Sequence, residues 1–187
     1  VVVGVSQPIS KWSYQIRHAE DVAWAVSRAF YIARTGRPGP VVLDFAKNAQ
    51  VEEIDYNPQK VDFIRSYVPY PKLEMDAVRQ AAELINNAKK PLALVGQGVE
   101  LGNAQSELKA FLEKADIPAG RTMLGLSALP SNHPLNVGML GMHGNYAVNL
   151  KEQECDVLIA IGMRFSDRVT GNLKTYAKQA KIIHLDD

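Results

Sequence analysis

The chain has 187 residues, 21 of them lysine or arginine and 20 aspartate or glutamate, for a formal net charge of +1. That length holds one domain with a sizeable core, or one domain and part of another, and the balance of charge gives no electrostatic case for nucleic acid or an anionic membrane as partner. A lone cysteine, Cys155, excludes a disulfide framework and fits a reducing, cytoplasmic setting with the thiol an inert small residue, and no run approaches the ~20 apolar residues of a membrane span.

Val1-Val2-Val3-Gly4-Val5 reads as a strand entered in midstream. No signal-peptide pattern and no methionine open the chain, and it stops at Asp186-Asp187 directly after another strand, so the sequence is expected to be a piece of something longer. Residues 19–34 carry alanine, valine, tryptophan and phenylalanine at helical spacing, and Arg37-Pro38-Gly39-Pro40 then turns the chain into the apolar strand Val41–Phe45. Residues 49–72 contain Pro58, Pro69 and Pro71 with scattered charge and no sustained period, which predicts an ordered but irregular linker. From Leu73 the alternation resumes with a helix to Ala88, the strand Pro91–Val95, a helix over residues 103–114 and a short strand at 117–120. A loop-rich stretch to Gly144, a helix through Glu152 and the strands Val157–Ile161 and Lys181–Leu185 complete the pattern. Repeated alternation of this kind predicts an α/β fold with a doubly wound parallel sheet.

In such sheets ligands bind at the carboxyl ends of the strands, and four loops at those ends carry suitable residues. The run at 162–171, Gly-Met-Arg-Phe-Ser-Asp-Arg-Val-Thr-Gly, follows the Val157–Ile161 strand. Its Arg164 and Arg168 suit an anionic ligand such as a pyrophosphate, because guanidinium forks pair with phosphate oxygens. A solvated loop whose charges pair with each other would leave the same residues, and the run alone does not separate the two. Gly96, Gln97 and Gly98 follow another strand, with Gly102 further on, and glycines there let backbone N–H groups approach a phosphate closely. The spacing is one residue off the dinucleotide fingerprint, and a plain strand-to-helix turn explains it better when the motif is taken alone. Thr122, Met123 and Leu124 stand after the third strand, and Leu140, Gly141, Met142 and His143 precede the next helix. His143 could donate to a ligand or cap that helix, and the lack of a second ligand at suitable spacing argues against a metal. Asp186 ends the last strand about two dozen residues beyond Gly162, at the position of a ribose-binding acid in nucleotide folds. Taken together, the loops predict an extended dinucleotide lying across one sheet edge.

Three motifs, Gly36-Arg37-Pro38-Gly39-Pro40-Val41-Val42-Leu43-Asp44, Gly141-Met142-His143-Gly144 and the run from Arg164 to Gly171, occur in an order that resembles the acetohydroxyacid synthase (acetolactate synthase) family of thiamine-diphosphate enzymes. The resemblance covers essentially the whole chain. It implies that residues 1–48 are the end of the pyrimidine-binding domain, 49–72 the linker, and 73–187 most of the central FAD-binding domain. It also implies FAD contacts at Arg37, Gly96, Gln97, Gly98, Thr122, Met123, Leu124, Leu140, Gly141, Met142, His143, Gly162, Met163, Arg164, Arg168, Val169 and Asp186. Lys47 and Asp167, with Met142 bordering them, resemble residues lining the approach to the active site. The sequence departs from the family at Ala46 and Asn48 around Lys47, at Met163, at residues 125–127, and at Ser166, where a second aspartate is usual. Ser166 still donates and accepts a hydrogen bond but brings no charge.

What the resemblance implies for the full polypeptide is condensation of two pyruvates, or of pyruvate and 2-ketobutyrate, with loss of carbon dioxide, in branched-chain amino acid synthesis. Thiamine diphosphate and Mg2+ belong to regions outside this stretch, FAD is structural, and no catalytic or metal-binding residue is expected here, so the piece alone is expected to be inactive. Family active sites lie between subunits, implying a homodimer or tetramer and a possible regulatory small subunit. Two other readings stay open: a related enzyme such as glyoxylate carboligase, against which Gly-Met-His-Gly and Asp-Arg-Val-Thr-Gly argue, and a non-catalytic nucleotide-binding module.

Overall fold

The computed structural model describes residues 2–186, which divide into two compact units on either side of Lys72 and Leu73. In the first, α1 (Val2–Ser6) leads into β1 (Trp12–Ile16), α2 (Val22–Arg34) and β2 (Val41–Phe45). The expected opening strand is thus a short helix, with Val1 outside the described residues. Valine favours strands by packing on a paired, pleated surface, and here β1 pairs only with β2, leaving residues 2–6 to coil with the Ser6 hydroxyl donating to the Val3 carbonyl. The strand at β1 went unpredicted because its Trp12-Ser13-Tyr14-Gln15-Ile16 alternation is only five residues long; its pairing is with a strand almost thirty positions away, in parallel register from Trp12↔Val41 to Ile16↔Phe45. Lys11 closes the crossover by donating from Nζ to the Ile32 and Thr35 carbonyls, each at 2.7 Å, at the end of α2, where cations offset the helix dipole. The irregular stretch beyond β2 is anchored on α2 by Val61 N donating to Ser27 Oγ and by Tyr67 Oη donating to the Thr35 carbonyl.

The second unit runs α3 (Met75–Asn86), β3 (Pro91–Val95), α4 (Gly98–Leu101), α5 (Gln105–Ala115), β4 (Ala119–Arg121), β5 (Asn136–Met139), α6 (Tyr146–Glu154), β6 (Val157–Ile161), α7 (Asp167–Thr170) and β7 (Lys181–Leu185). The five strands form one parallel sheet in the order β5-β4-β3-β6-β7. Apolar residues fill β3 and β6 because both faces are covered. Ala93, Val95 and Ile159 pack with Leu108 and Leu112 of α5 on one side, while Leu92, Leu94, Leu158 and Ala160 pack with Val148 of α6 on the other. Each such burial is worth about 1.5–3 kcal/mol against exposure. Asp156 staples the start of the central pair, its carboxylate accepting from Lys89 N at 2.7 Å and Lys90 N at 2.9 Å, bonds that hold its pKa below the ordinary carboxylate range.

Two differences from the predicted elements matter for the edge. The short strand sits at Ala119–Arg121 rather than 117–120, and β5 lies within the stretch expected to be loop. Asn136 and a glycine at φ +111° (Gly138) hide β5 from periodicity, and its register against β4 slips between Ala119 and Gly120. Strand order reverses between β3 and β6. Among the described residues no helix is long and apolar enough to cross a membrane.

Candidate functional site at the switch of the sheet

The reversal between β3 and β6 places the loops after Val95 and Ile161 side by side at the carboxyl edge, the crevice where open α/β sheets bind ligands. The glycines there serve each other. Gly96 N donates to the Ile161 carbonyl at 2.9 Å and Gly98 N to the Gly162 carbonyl at 2.8 Å. A Cβ on Gly98 would come within 2.5 Å of Gly162 Cα, and one on Gly96 would collide with the Gly162 carbonyl oxygen. This corrects the expected role of these glycines: their N–H groups are spent on the neighbouring loop, not held for a phosphate. Gln97 between them is exposed.

Gly162 takes φ +58°, and Met163 behind it is 3% exposed, so its side chain belongs to the core and only its main chain reaches the edge. The same holds for Leu140. Arg164 is exposed. Arg168 and Asp167 are exposed neighbours on α7, Nε to Oδ2 at 3.8 Å, too far apart and too solvated for the pair to cancel the arginine's charge. Val169 packs against the core below. At this edge Arg164 and Arg168 stand exposed beside a packed backbone, with Asp167 next to Arg168.

The loop at 140–143 is tied to this run. Leu140 N donates to the Arg121 carbonyl at 3.0 Å, Met142 N donates to the Arg168 carbonyl at 2.8 Å, and both backbone groups of Gly141 are held by the Asn149 carboxamide of α6 at 2.9 Å each. Met142 and His143 face outward, and His143 does not cap α6, whose N-cap position is Asn145. Thr122 accepts from Gly125 N through Oγ1 at 3.1 Å and turns the chain so that Met123 and Leu124 lie about 60% exposed. Asp186 lies 3.5 Å from His184 Nε2, which donates to the Met163 carbonyl at 2.8 Å. A carbonyl only accepts, so that nitrogen carries the proton.

Three residues of this edge escaped the sequence reading. Asn149 is eight positions from the glycine it holds. His184 sits in a strand with no motif around it. Arg121 is 6% exposed, with Nη1 donating to the Leu126 and Leu129 carbonyls, the latter at 2.7 Å, and Nε without a partner; burial lowers its pKa from the ordinary value. Arg37 and Lys47 belong to the first unit, where both are exposed, Arg37 directly after Gly36 at φ +55°.

Five parallel strands with helices on both faces and a reversal of strand order at β3 and β6 define a doubly wound α/β domain. Residues 78–187 match the family model described as thiamine pyrophosphate enzyme, central domain, and the chain belongs to that family. It is similar to acetolactate synthase large subunits: 42% identical to that of Corynebacterium glutamicum over 98% of this chain and 29% of the relative. It is 40% identical to that of Buchnera aphidicola from Schizaphis graminum over 99% and 33%, and 42% identical to the isozyme 1 large subunit of Escherichia coli over 98% and 32%. The chain therefore spans about a third of the length of these curated relatives. A solved structure of a proposed thiamin diphosphate-dependent enzyme from Mycobacterium smegmatis superposes with a TM-score of 0.76 at 26% identity, over 96% of this chain and 34% of that one.

Proposed function

We propose that this chain is the part of an acetolactate synthase large subunit that holds a flavin dinucleotide, in a cytoplasmic enzyme that joins two 2-ketoacids with loss of carbon dioxide. The observation that carries the ligand class is the two exposed arginines, Arg164 and Arg168, on a run tied to the loop at 140–143 through Met142 N and the Arg168 carbonyl. The donor set fits FAD: guanidinium groups for the diphosphate, the Asp186 carboxylate for a ribose hydroxyl, and exposed Met123, Leu124 and Met142 as soft apolar contacts for a ring system. Residues 1–48, 49–72 and 73–187 take the parts of pyrimidine-domain end, linker and central domain, and Asp167 lines the substrate approach.

Thiamine diphosphate, held with Mg2+ by other regions of the polypeptide, supplies the electron sink for decarboxylation and carbon–carbon bond formation. This chain's residues take the part of orienting and shielding the flavin. We propose further a homo-oligomer with a regulatory small subunit; the relatives are named large subunits. Equilibrium dialysis of the intact polypeptide against FAD tests the ligand, and no retention at high flavin concentration refutes it. A carboligation assay with pyruvate and with glyoxylate tests the substrate, and product from glyoxylate alone would assign the glyoxylate carboligase reading instead.

A further inference from the structure

We infer that Asn149 is the positioning residue of this edge, its carboxamide fixing the loop at 140–144 against Arg168 so that the two halves of the ligand site form one surface. The clamp stands on geometry; its consequence for a ligand rests on the flavin reading above. Gly141 takes φ +94°, outside any regular ladder, and its carbonyl accepts from Gly144 N at 2.9 Å within the turn, while its N–H looks outside the loop for a partner. Asn149 supplies that partner and a second bond to the carbonyl: Oδ1 accepts from Gly141 N and Nδ2 donates to the Gly141 carbonyl, both at 2.9 Å. A carboxamide is the side chain that offers a donor and an acceptor side by side on a short stem.

The next link leads outward. Met142 N donates to the Arg168 carbonyl at 2.8 Å, and a Cβ on Gly141 would stand 2.9 Å from that same oxygen. Holding Gly141 therefore fixes where α7 meets the loop, and with it the backbone that carries Arg168. The base of the clamp is rigid, because Val148 beside Asn149 is fully buried against the sheet and Glu152 one turn on is 2% exposed.

The test compares wild type with Asn149→Leu and Asn149→Asp in the intact polypeptide, by hydrogen exchange of the peptides covering 139–145 and 96–102 and by FAD titration near neutral and acid pH. Asn149→Leu is expected to speed exchange in 139–145 alone and to weaken FAD about tenfold, the equilibrium worth of one typical hydrogen bond. Asn149→Asp keeps the acceptor and loses the donor, so its affinity is expected to recover in acid, where the protonated carboxyl donates again, a gain the wild type does not share. A purely structural role would lower the melting temperature without this pH-dependent rescue. Unchanged exchange at 139–145 overturns the clamp, and faster exchange with unchanged FAD affinity overturns the positioning role. Wild-type protein that binds no FAD sinks the flavin reading by itself, and the exchange measurement then decides the clamp separately.

Discussion

Glu152 makes the stability of this chain fall as pH rises through the weakly acidic range, and Glu152→Gln is expected to remove that fall. The carboxyl lies on α6 within the core that contains Leu158 and Tyr176; it is 2% exposed, and its Oε1 has no hydrogen-bond partner. Loss of solvation pushes its pKa from 4.5 up to about 7. The buried neighbours offer no cation: Cys155, pushed up to about 11 by burial and by Glu152, and Tyr176, also raised by burial, face it as further acids. Below pH 4.5 both folded and unfolded chains hold the proton and the group costs nothing by linkage. Between pH 4.5 and 7 the unfolded chain releases it while the folded chain keeps it, so unfolding gains about 1.4 kcal/mol per pH unit. Over that window the loss comes to about 3 kcal/mol and is constant above it. Urea denaturation followed by far-ultraviolet circular dichroism across that window reads the effect as the difference between wild type and Glu152→Gln, which cancels every other titrating group. Parallel pH profiles for the two proteins would refute the reasoning. Glu152→Met, which keeps the bulk and deletes the orphaned oxygen, is expected to be the most stable of the three above pH 7.

Gly98→Ala drives a methyl group against Gly162 Cα and is expected to cost about 1–3 kcal/mol or more, since backbone cannot yield as a flexible side chain does; a melting temperature equal to wild type would show that the interlock is loose. Arg164→Ala is expected to weaken FAD by roughly tenfold or more through a lost charge-assisted contact, with a smaller salt dependence than wild type, and unchanged affinity would move the diphosphate contact elsewhere. Cys155 is 2% exposed with its pKa raised to about 11, so a thiol reagent at mildly alkaline pH is expected to label it only after unfolding. Rapid labelling of the native chain would show that the core around α6 opens.

The sequence determined the long elements and the side of the sheet on which to look. Apolar runs such as Val157–Ile161 and helical spacing over residues 19–34 are local signals, legible because each element's own residues carry its period. The loops at 96–98, 122–124, 140–143 and 162–171 were placed at strand ends by the same reading. What only tertiary structure decided was which group satisfies which. Gly96 and Gly98 looked ready for a phosphate, yet the Ile161 and Gly162 carbonyls more than sixty residues away take their N–H groups. The helix at Val2–Ser6 and the strand at Asn136–Met139 were likewise settled by the absence or presence of a strand to pair with. Asn149, Arg121, His184 and Glu152 carry no motif because their roles come from a partner, or the lack of one, in three dimensions. Hydrophobic period is written along the chain, whereas hydrogen-bond satisfaction and desolvation exist only once distant segments meet.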